Sequence, residues 1–412
     1  MSPTEDPLRE DVVSLPYPGS LHQPVATISE HAQVLPSAVA PLERECDEKM
    51  KAIVTSTVDP VTGFFGGIAK YEQAVIRSLR TNGVEVARQF VDTHEGARFG
   101  AYMMPMWRQA TGSYTHLDGE TIHAIQPKTA LRGTDVASIH SPMADRSRWH
   151  DPRDWVWRAL NRQAFKNSRL LTVNTTWDPW ELAARYGHAV ADRARPVGMS
   201  FDPAYHVDAG VRKDVDVLWV GKSTPNKGLR VLHSALELIR DRDSFVVVQS
   251  TPHGAFPGEH AWARESFKRM SLRQLPRLLF NERPLPENEI IELFQRSKVI
   301  VSTSFHETFH QPIFEAYLCG AAVVLPRRPP YVQIFQSAET LGQEGIYFYD
   351  CHEPAEIAES IRSALREHPH GIEPSAALAR VYSDKEFGRR LVGVYEEAGP
   401  RRIFSIGGRC TG

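Results

Sequence analysis

Short apolar runs and helically periodic stretches alternate along two separate parts of this chain. In the first part, residues 52–56 read as a strand. Residues 66–79 read as a helix, because Ile68, Tyr71, Val75, Ile76 and Leu79 fall on one face. Strands are predicted at 84–90, 121–125, 135–140 and 170–174, and helices at 155–165 and 179–186. Residues 195–214 lose the periodicity, carry Pro196, Pro203 and Gly210, and read as a linker. Alternation then restarts, with strands at 215–220, 245–250, 278–280, 299–304 and 321–325. Helices between them are predicted at 229–239, 287–295 and 312–319. A strongly amphipathic helix is expected at 384–398.

Strands alternating with helices imply parallel sheets with right-handed crossovers. The expected organisation is two Rossmann-like α/β domains, 50–205 and 206–383, followed by a helix and tail at 384–412. In such sheets ligands bind at the carboxyl ends of the strands, so two facing sheets create a cleft. Residues 1–49 differ from the rest. Pro3, Pro7, Pro16, Pro18, Pro24, Pro36 and Pro41 with little periodicity suit a disordered tail, and Met50 directly precedes the first strand.

Composition narrows the picture. The chain has 412 residues, a formal net charge of -2 and 42% hydrophobic content, which suit a folded protein with no field for nucleic acid or an anionic membrane. No apolar run is long enough to span a bilayer, and a cytoplasmic setting is the expectation. Cys46, Cys319, Cys351 and Cys410 show neither zinc nor redox spacing and read as unpaired.

Four segments carry candidate chemistry. Residues 302–316 hold Glu307 in the loop after a strand and Glu315 just inside the next helix, with Pro312 suited to that helix's first turn. Glu315 is placed to accept from a ribose diol and Glu307 from further hydroxyls. Backbone N–H groups of Phe309, His310 and Gln311 would face an anion at the helix start. The plainer alternative is one capping and one loop glutamate. Residues 217–229 form strand, cation-bearing loop and helix, in which Lys222 and Lys227 could hold a diphosphate; a solvated lysine loop is the alternative. Gly66 and Gly67, before the first long helix, let a ligand approach the backbone, unless they form a plain turn. His140 ends an apolar strand and is either catalytic or structural. His123 carries the same ambiguity and ranks lower.

Together these segments resemble the retaining GT-B glycosyltransferases, in particular the nucleotide-sugar family with a Glu-x7-Glu signature (glycosyl transferases group 1). The resemblance covers roughly residues 50–398 and is strongest over 221–228, 307–315 and the following Tyr317 to Val324. It implies a GT-B fold, with an acceptor domain first and a donor domain second, and a final helix crossing back onto the first. It implies that Lys222 and Lys227 hold the donor diphosphate, Glu315 the ribose and Glu307 the transferring sugar. The loop bearing Gly66 and Gly67 would approach the phosphates, and His140 would contact the donor sugar. The implied catalytic set is His140, Glu307 and Lys227. The partners are a nucleotide-sugar donor and a small-molecule or glycan acceptor, with no cofactor or metal. Thr308 and His310 stand where family members often carry glycine, so the sugar cannot be carried over. The usual turn at the end of the first domain reads here as Gly198-Met199-Ser200-Phe201-Asp202.

Rival readings are a metal-dependent single-domain transferase, a binding module without transfer, and an epimerase or phosphorylase on the same fold. The first would use an Asp-x-Asp clamp, a string present at 214–216 and 241–243.

Overall fold

The structure is a computed structural model of the 412-residue chain. It describes residues 50–56, 67–91, 112–114, 120–140, 152–239, 245–249, 257–273, 278–281, 285–335 and 344–399. All of these fall in one compact unit, 34–412. Gly66, Asp241 to Asp243, Cys46, Cys410 and the segment 1–49 lie outside the described residues.

Among the described residues, twelve strands form two six-stranded sheets, parallel throughout. The first contains β1 (Lys51–Ser56), β2 (Glu85–Phe90), β3 (Glu120–Ala124), β4 (Val136–Ile139), β5 (Leu170–Val173) and β6 (Ala194–Pro196), in the order β2-β1-β3-β4-β5-β6. The second contains β7 (Val215–Gly221), β8 (Phe245–Gln249), β9 (Leu278–Asn281), β10 (Ser297–Val301), β11 (Ala322–Pro326) and β12 (Ile346–Tyr349), in the order β12-β11-β10-β7-β8-β9. The second order is that of a dinucleotide-binding Rossmann sheet, with its reversal between β7 and β10. In the first sheet the reversal falls between β1 and β3. Central strands such as β11 are buried along their whole length, which is why they read as unbroken apolar runs.

The helices are α1 (Gly67–Thr81), α2 (Pro152–Asn167), α3 (Asp178–Tyr186), α4 (His188–Ala191), α5 (Leu229–Glu237), α6 (Pro257–Arg273), α7 (Glu287–Arg296), α8 (Gln311–Leu318), α9 (Pro329–Phe335), α10 (Pro354–Glu367), α11 (Ala376–Val381) and α12 (Asp384–Ala398). Leu229, Leu232, Ala235 and Leu236 of α5 are buried at helical spacing. Every predicted strand and helix has a counterpart within a few residues. Beyond them, α4, α6, α9, α10, α11 and β12 lie where the hydrophobic pattern predicts nothing, although Ile357, Ile361 and Ala364 give α10 a legible stripe.

Two expectations need correction. Residues 194–196, at the start of the expected linker, are the edge strand β6, paired with β5. Three residues are too few to show alternation, and Pro196 is tolerated because it sits on an edge. The remainder of that segment has no helix or strand, yet it is packed: Val197, Met199, Phe201 and Tyr205 are buried in the main apolar cluster. Gly198 adopts φ 71, and a Cβ there would meet Tyr382 and Arg390.

The last helix, α12, is built from local signals. Ser383 caps it by accepting from the Glu386 amide, Asp384 and Glu386 occupy its first turn, and Gly399 ends it at φ 64. It packs on α1, bringing this last helix onto the first sheet's layer. Gly388 makes this approach possible: a Cβ there would lie 2.2 Å from the Ser78 carbonyl oxygen. Polar ties reinforce the contact. Arg77 reaches Asp384 at 2.5 Å and Asp202 at 3.1 Å, and Ser78 Oγ donates to Asp384 at 3.0 Å.

Candidate active site

A cleft of ≈ 530 Å³ is lined from both sheets. The carboxyl ends of β7 and β10, which flank the reversal point of the second sheet, supply its floor. Lys222 follows β7, and Lys227 closes a short 3-10 turn, Pro225–Lys227. Gly228 then takes φ 64, and a Cβ there would sit 2.0 Å from the Thr303 carbonyl oxygen. This close approach lets the loop after β10 bond the loop after β7. Phe305 N–H donates to the Asn226 carbonyl at 2.8 Å, and Thr303 Oγ1 donates to that of Lys227 at 2.9 Å. Lys227 and Glu307, eighty residues apart, are thereby brought into a direct ion pair. Burial raises the Glu307 pKa, but the charge and hydrogen bond of Lys227 outweigh it and hold the carboxyl at about 2. Partial desolvation and the like charge of Lys227 lower Lys222.

Helix α8 carries Glu315 into the same cleft. Pro312 stands in its first turn, where its missing N–H costs nothing. Glu315 is the fifth helical residue, not part of the opening turn, and is only 2% exposed. Burial raises its pKa against the opposing charge of Lys70. The expectation that the Phe309, His310 and Gln311 amides all face an anion fails for Gln311. Its N–H donates to the Phe309 carbonyl at 3.1 Å, a tight turn forced by the helix entry. The Gln311 side chain instead donates to the Gly67 carbonyl at 3.0 Å. Phe309 stacks on Phe314 and Phe201, so its ring belongs to the packing under the linker.

His310 is 4% exposed, and its Nδ1 lies 3.0 Å from Ser302 Oγ and 3.2 Å from Tyr331 Oη. Its Nε2 is buried with no hydrogen-bond partner. Burial lowers its pKa to about 4, so the ring is neutral near pH 7.

The first sheet supplies the opposite wall. Gly67 begins α1. His140 follows β4, and its Nε2–H donates to the Ile125 carbonyl at 2.7 Å. That bond fixes the tautomer and leaves Nδ1 as an acceptor. Burial lowers the His140 pKa to about 4. Tyr71 holds the ring edge-on at 4.4 Å, and Thr308 Oγ1 donates to the His140 carbonyl at 2.5 Å. His123 takes no part: both its nitrogens are used inside the core, on Tyr395 at 2.7 Å and Ser138 at 2.8 Å.

The structure therefore gathers Gly67, His140, Lys222, Lys227, Glu307, Phe309, His310, Gln311 and Glu315 around one cleft. It adds a group absent from the sequence reading. Lys70 Nζ reaches from α1 to Glu315 at 2.8 Å and to Tyr205 Oη at 2.7 Å, with Glu287 3.6 Å away. Tyr205 Oη also donates to Glu287 at 2.8 Å. Nothing in the local pattern marks these residues, because Lys70 and Tyr205 read as ordinary helix and linker positions. Leu285, Ile290 and Phe294 add an apolar end to the cleft. The string at 214–216 lies away from it: Asp214 pairs with Arg296 at 2.8 Å and Asp216 with Lys298 at 2.5 Å. Among the described residues no group of three or more His, Cys, Asp and Glu converges to hold a metal, and no helix is long and apolar enough to cross a membrane.

Comparisons with known proteins bear on this arrangement. Residues 214–367 match the family described as Glycosyl transferases group 1. The chain is 24% identical over 285 residues to a D-inositol 3-phosphate glycosyltransferase of Corynebacterium glutamicum, covering 64% of this chain and 66% of that protein. It is 27% identical over 238 residues to the protein of the same name from Paenarthrobacter aurescens, covering 55% of this chain and 56% of the other. The chain thus spans less than two thirds of the length of each of these relatives. Its fold is shared with Anabaena HepE, crystallised with UDP and glucose, at a TM-score of 0.59 and 15% identity over 84% of this chain and 98% of the other. It is shared equally with a trehalose-phosphate synthase from Burkholderia xenovorans, at a TM-score of 0.60 and 13% identity over 84% and 99%. The chain has the two-sheet GT-B architecture, and its residues 214–367 match the glycosyl transferases group 1 family.

Proposed function

We propose that the chain is a retaining glycosyltransferase that moves a sugar from a nucleotide-diphosphate sugar to a hydroxyl acceptor without a bound metal. The observation that carries this reading is the convergence of Lys222, Lys227, Glu307 and Glu315 on one cleft at the reversal point of the second sheet. This is where α/β sheets take up nucleotides. In this reading Glu315 accepts from the ribose diol, and the apolar end at Leu285 and Ile290 takes the base. Lys222 and Lys227 neutralise the diphosphate. Glu307 and the bare Nδ1 of His140 accept from hydroxyls of the transferring sugar.

The bond from the anomeric carbon to the diphosphate oxygen breaks, and its electron pair goes to that oxygen. The acceptor oxygen bonds to the anomeric carbon from the same face, and its proton passes to the departing phosphate. Charge builds on the leaving group, so preplaced ammoniums lower the barrier with little reorganisation. Both histidines on this path are neutral near pH 7 and add no competing positive charge.

The names of the curated relatives make a phosphorylated cyclitol the first acceptor to try. A thermal-shift panel of UDP, GDP and ADP sugars identifies the donor. At a hundred times its dissociation constant the right one adds about 2.7 kcal/mol of stability. Nucleotide release with acceptor present, in EDTA, then measures transfer. No shift with any donor sinks the reading. Activity lost in EDTA and restored by Mn²⁺ removes the metal-independent part, and nucleotide binding without release on any acceptor favours a binding module.

A further inference from the structure

The cleft is lined by three lysines, Lys70, Lys222 and Lys227, and three glutamates, Glu287, Glu307 and Glu315. Lys227 is paired with Glu307, and Lys70 with Glu315, with Glu287 beside it. A nucleotide-diphosphate sugar brings negative charge to the lysines and hydroxyls to the glutamates. Its ribose diol therefore competes with the Lys70 ammonium for Glu315, a carboxylate only 2% exposed. A lysine that simply stayed would obstruct the ribose. One that simply left for solvent would leave a buried carboxylate without its counter-charge and gain nothing. A third course is open, because Lys70 lies one turn into α1, whose first residue, Gly67, lines the same cleft as Lys222 and Lys227. The flexible four-carbon stem of lysine allows its head to re-aim within that space.

We propose that Lys70 is a donor-binding residue that works by exchange: in the empty enzyme it holds the ribose seat at Glu315, and on donor binding its ammonium passes to the diphosphate. This rests on the reading of Glu315 as the ribose seat. Each donor hydroxyl group that takes a glutamate frees a lysine for the phosphates, so Lys70 and Lys227 move in parallel. Lys70 belongs to the first sheet's layer and Glu315 to the second's. The exchange therefore couples donor binding to the contact between the two halves, alongside the Gln311 to Gly67 and Thr308 to His140 bonds.

The test is calorimetric. UDP, GDP and ADP are titrated into wild type, and the tightest binder and its nucleoside are then titrated into Lys70→Met and Glu315→Gln. Circular dichroism confirms that each variant is folded, and Lys70→Arg serves as a variant that keeps the charge. Lys70→Met is expected to weaken the diphosphate about tenfold or more, the loss of one charged hydrogen bond, while nucleoside binding holds or tightens. Lys70→Arg should recover part of the diphosphate affinity. Diphosphate affinity that is unchanged or improved in Lys70→Met overturns the exchange and leaves Lys70 an obstruction or a structural tie. Unchanged nucleoside affinity in Glu315→Gln overturns instead the ribose seat itself, so the two failures are distinct.

Discussion

The chemistry at residue scale is concentrated in ion pairs that sit partly out of water. Lys227 and Glu307 have side chains 17% and 14% exposed, so removing one partner strands the other. Lys227→Ala is expected to lower kcat/KM by roughly tenfold to a hundredfold, since a charged hydrogen bond is worth about 1.5–3 kcal/mol. Steady-state rates and a melting curve decide the case: turnover should fall more than the fold weakens, and full activity would falsify the phosphate role. His310 offers a second test at this scale. His310 lines the same cleft as Lys227 and Glu307, with its Nε2 unpartnered, at a position where the resembling family often has glycine. His310→Gly should open the floor of the cleft and change which donor sugar is preferred, read as a ratio of kcat/KM values for two donors of one base. An unchanged ratio would show that the imidazole only packs.

At the scale of elements, two glycines set distances that side chains then exploit. Gly228 has a left-handed backbone, and the Thr303 carbonyl oxygen occupies the space a Cβ there would need. Alanine there must strain both the backbone and the contact between the loops after β7 and β10. We expect Gly228→Ala to cost at least about 2 kcal/mol in urea unfolding and to reduce activity further by separating Lys227 from Glu307. Gly388 plays the corresponding part between α12 and α1, and Gly388→Ala should lower the melting temperature with little effect on nucleotide affinity. A melting temperature equal to wild type would mean that α12 is not pressed against Ser78 as described. Some elements were legible from pattern alone, among them β1, β7, α5 and α12, because their buried residues are spaced for one face or run unbroken. β6 was not: its three residues become a strand only by pairing with β5.

For the whole molecule, buried titratable groups predict acid sensitivity. Burial lowers His123 to about 3 and His140 and His310 to about 4, so each folded pKa lies below the unfolded value. Their stabilisation is therefore present above about pH 6.5 and is lost as pH falls towards 4. Asp178 opposes them: burial raises it to about 7, so it favours the fold at low pH and less so as pH rises to 7. On balance these groups make unfolding near pH 5 take up protons, so stability falls as the pH drops through that range. Urea midpoints between pH 4.5 and 6.5 should drop accordingly. Replacing His123 by Gln should flatten that slope, and an unaltered slope would remove His123 from this account.

The order of strands and helices, the two-part alternation and the residue types suited to phosphates and hydroxyls were determined by sequence, because burial patterns and backbone preferences are local properties. Which of those residues meet was decided by tertiary structure. Parallel sheets place Lys227 beside Glu307 across eighty residues, send His123 into the core while leaving His140 at the cleft, and bring Lys70 to Glu315 from a different sheet. Each of these depends on how one strand order reverses and how one layer faces another. Spacing along a chain carries no record of that, since a contact between distant residues is set by the path of everything between them.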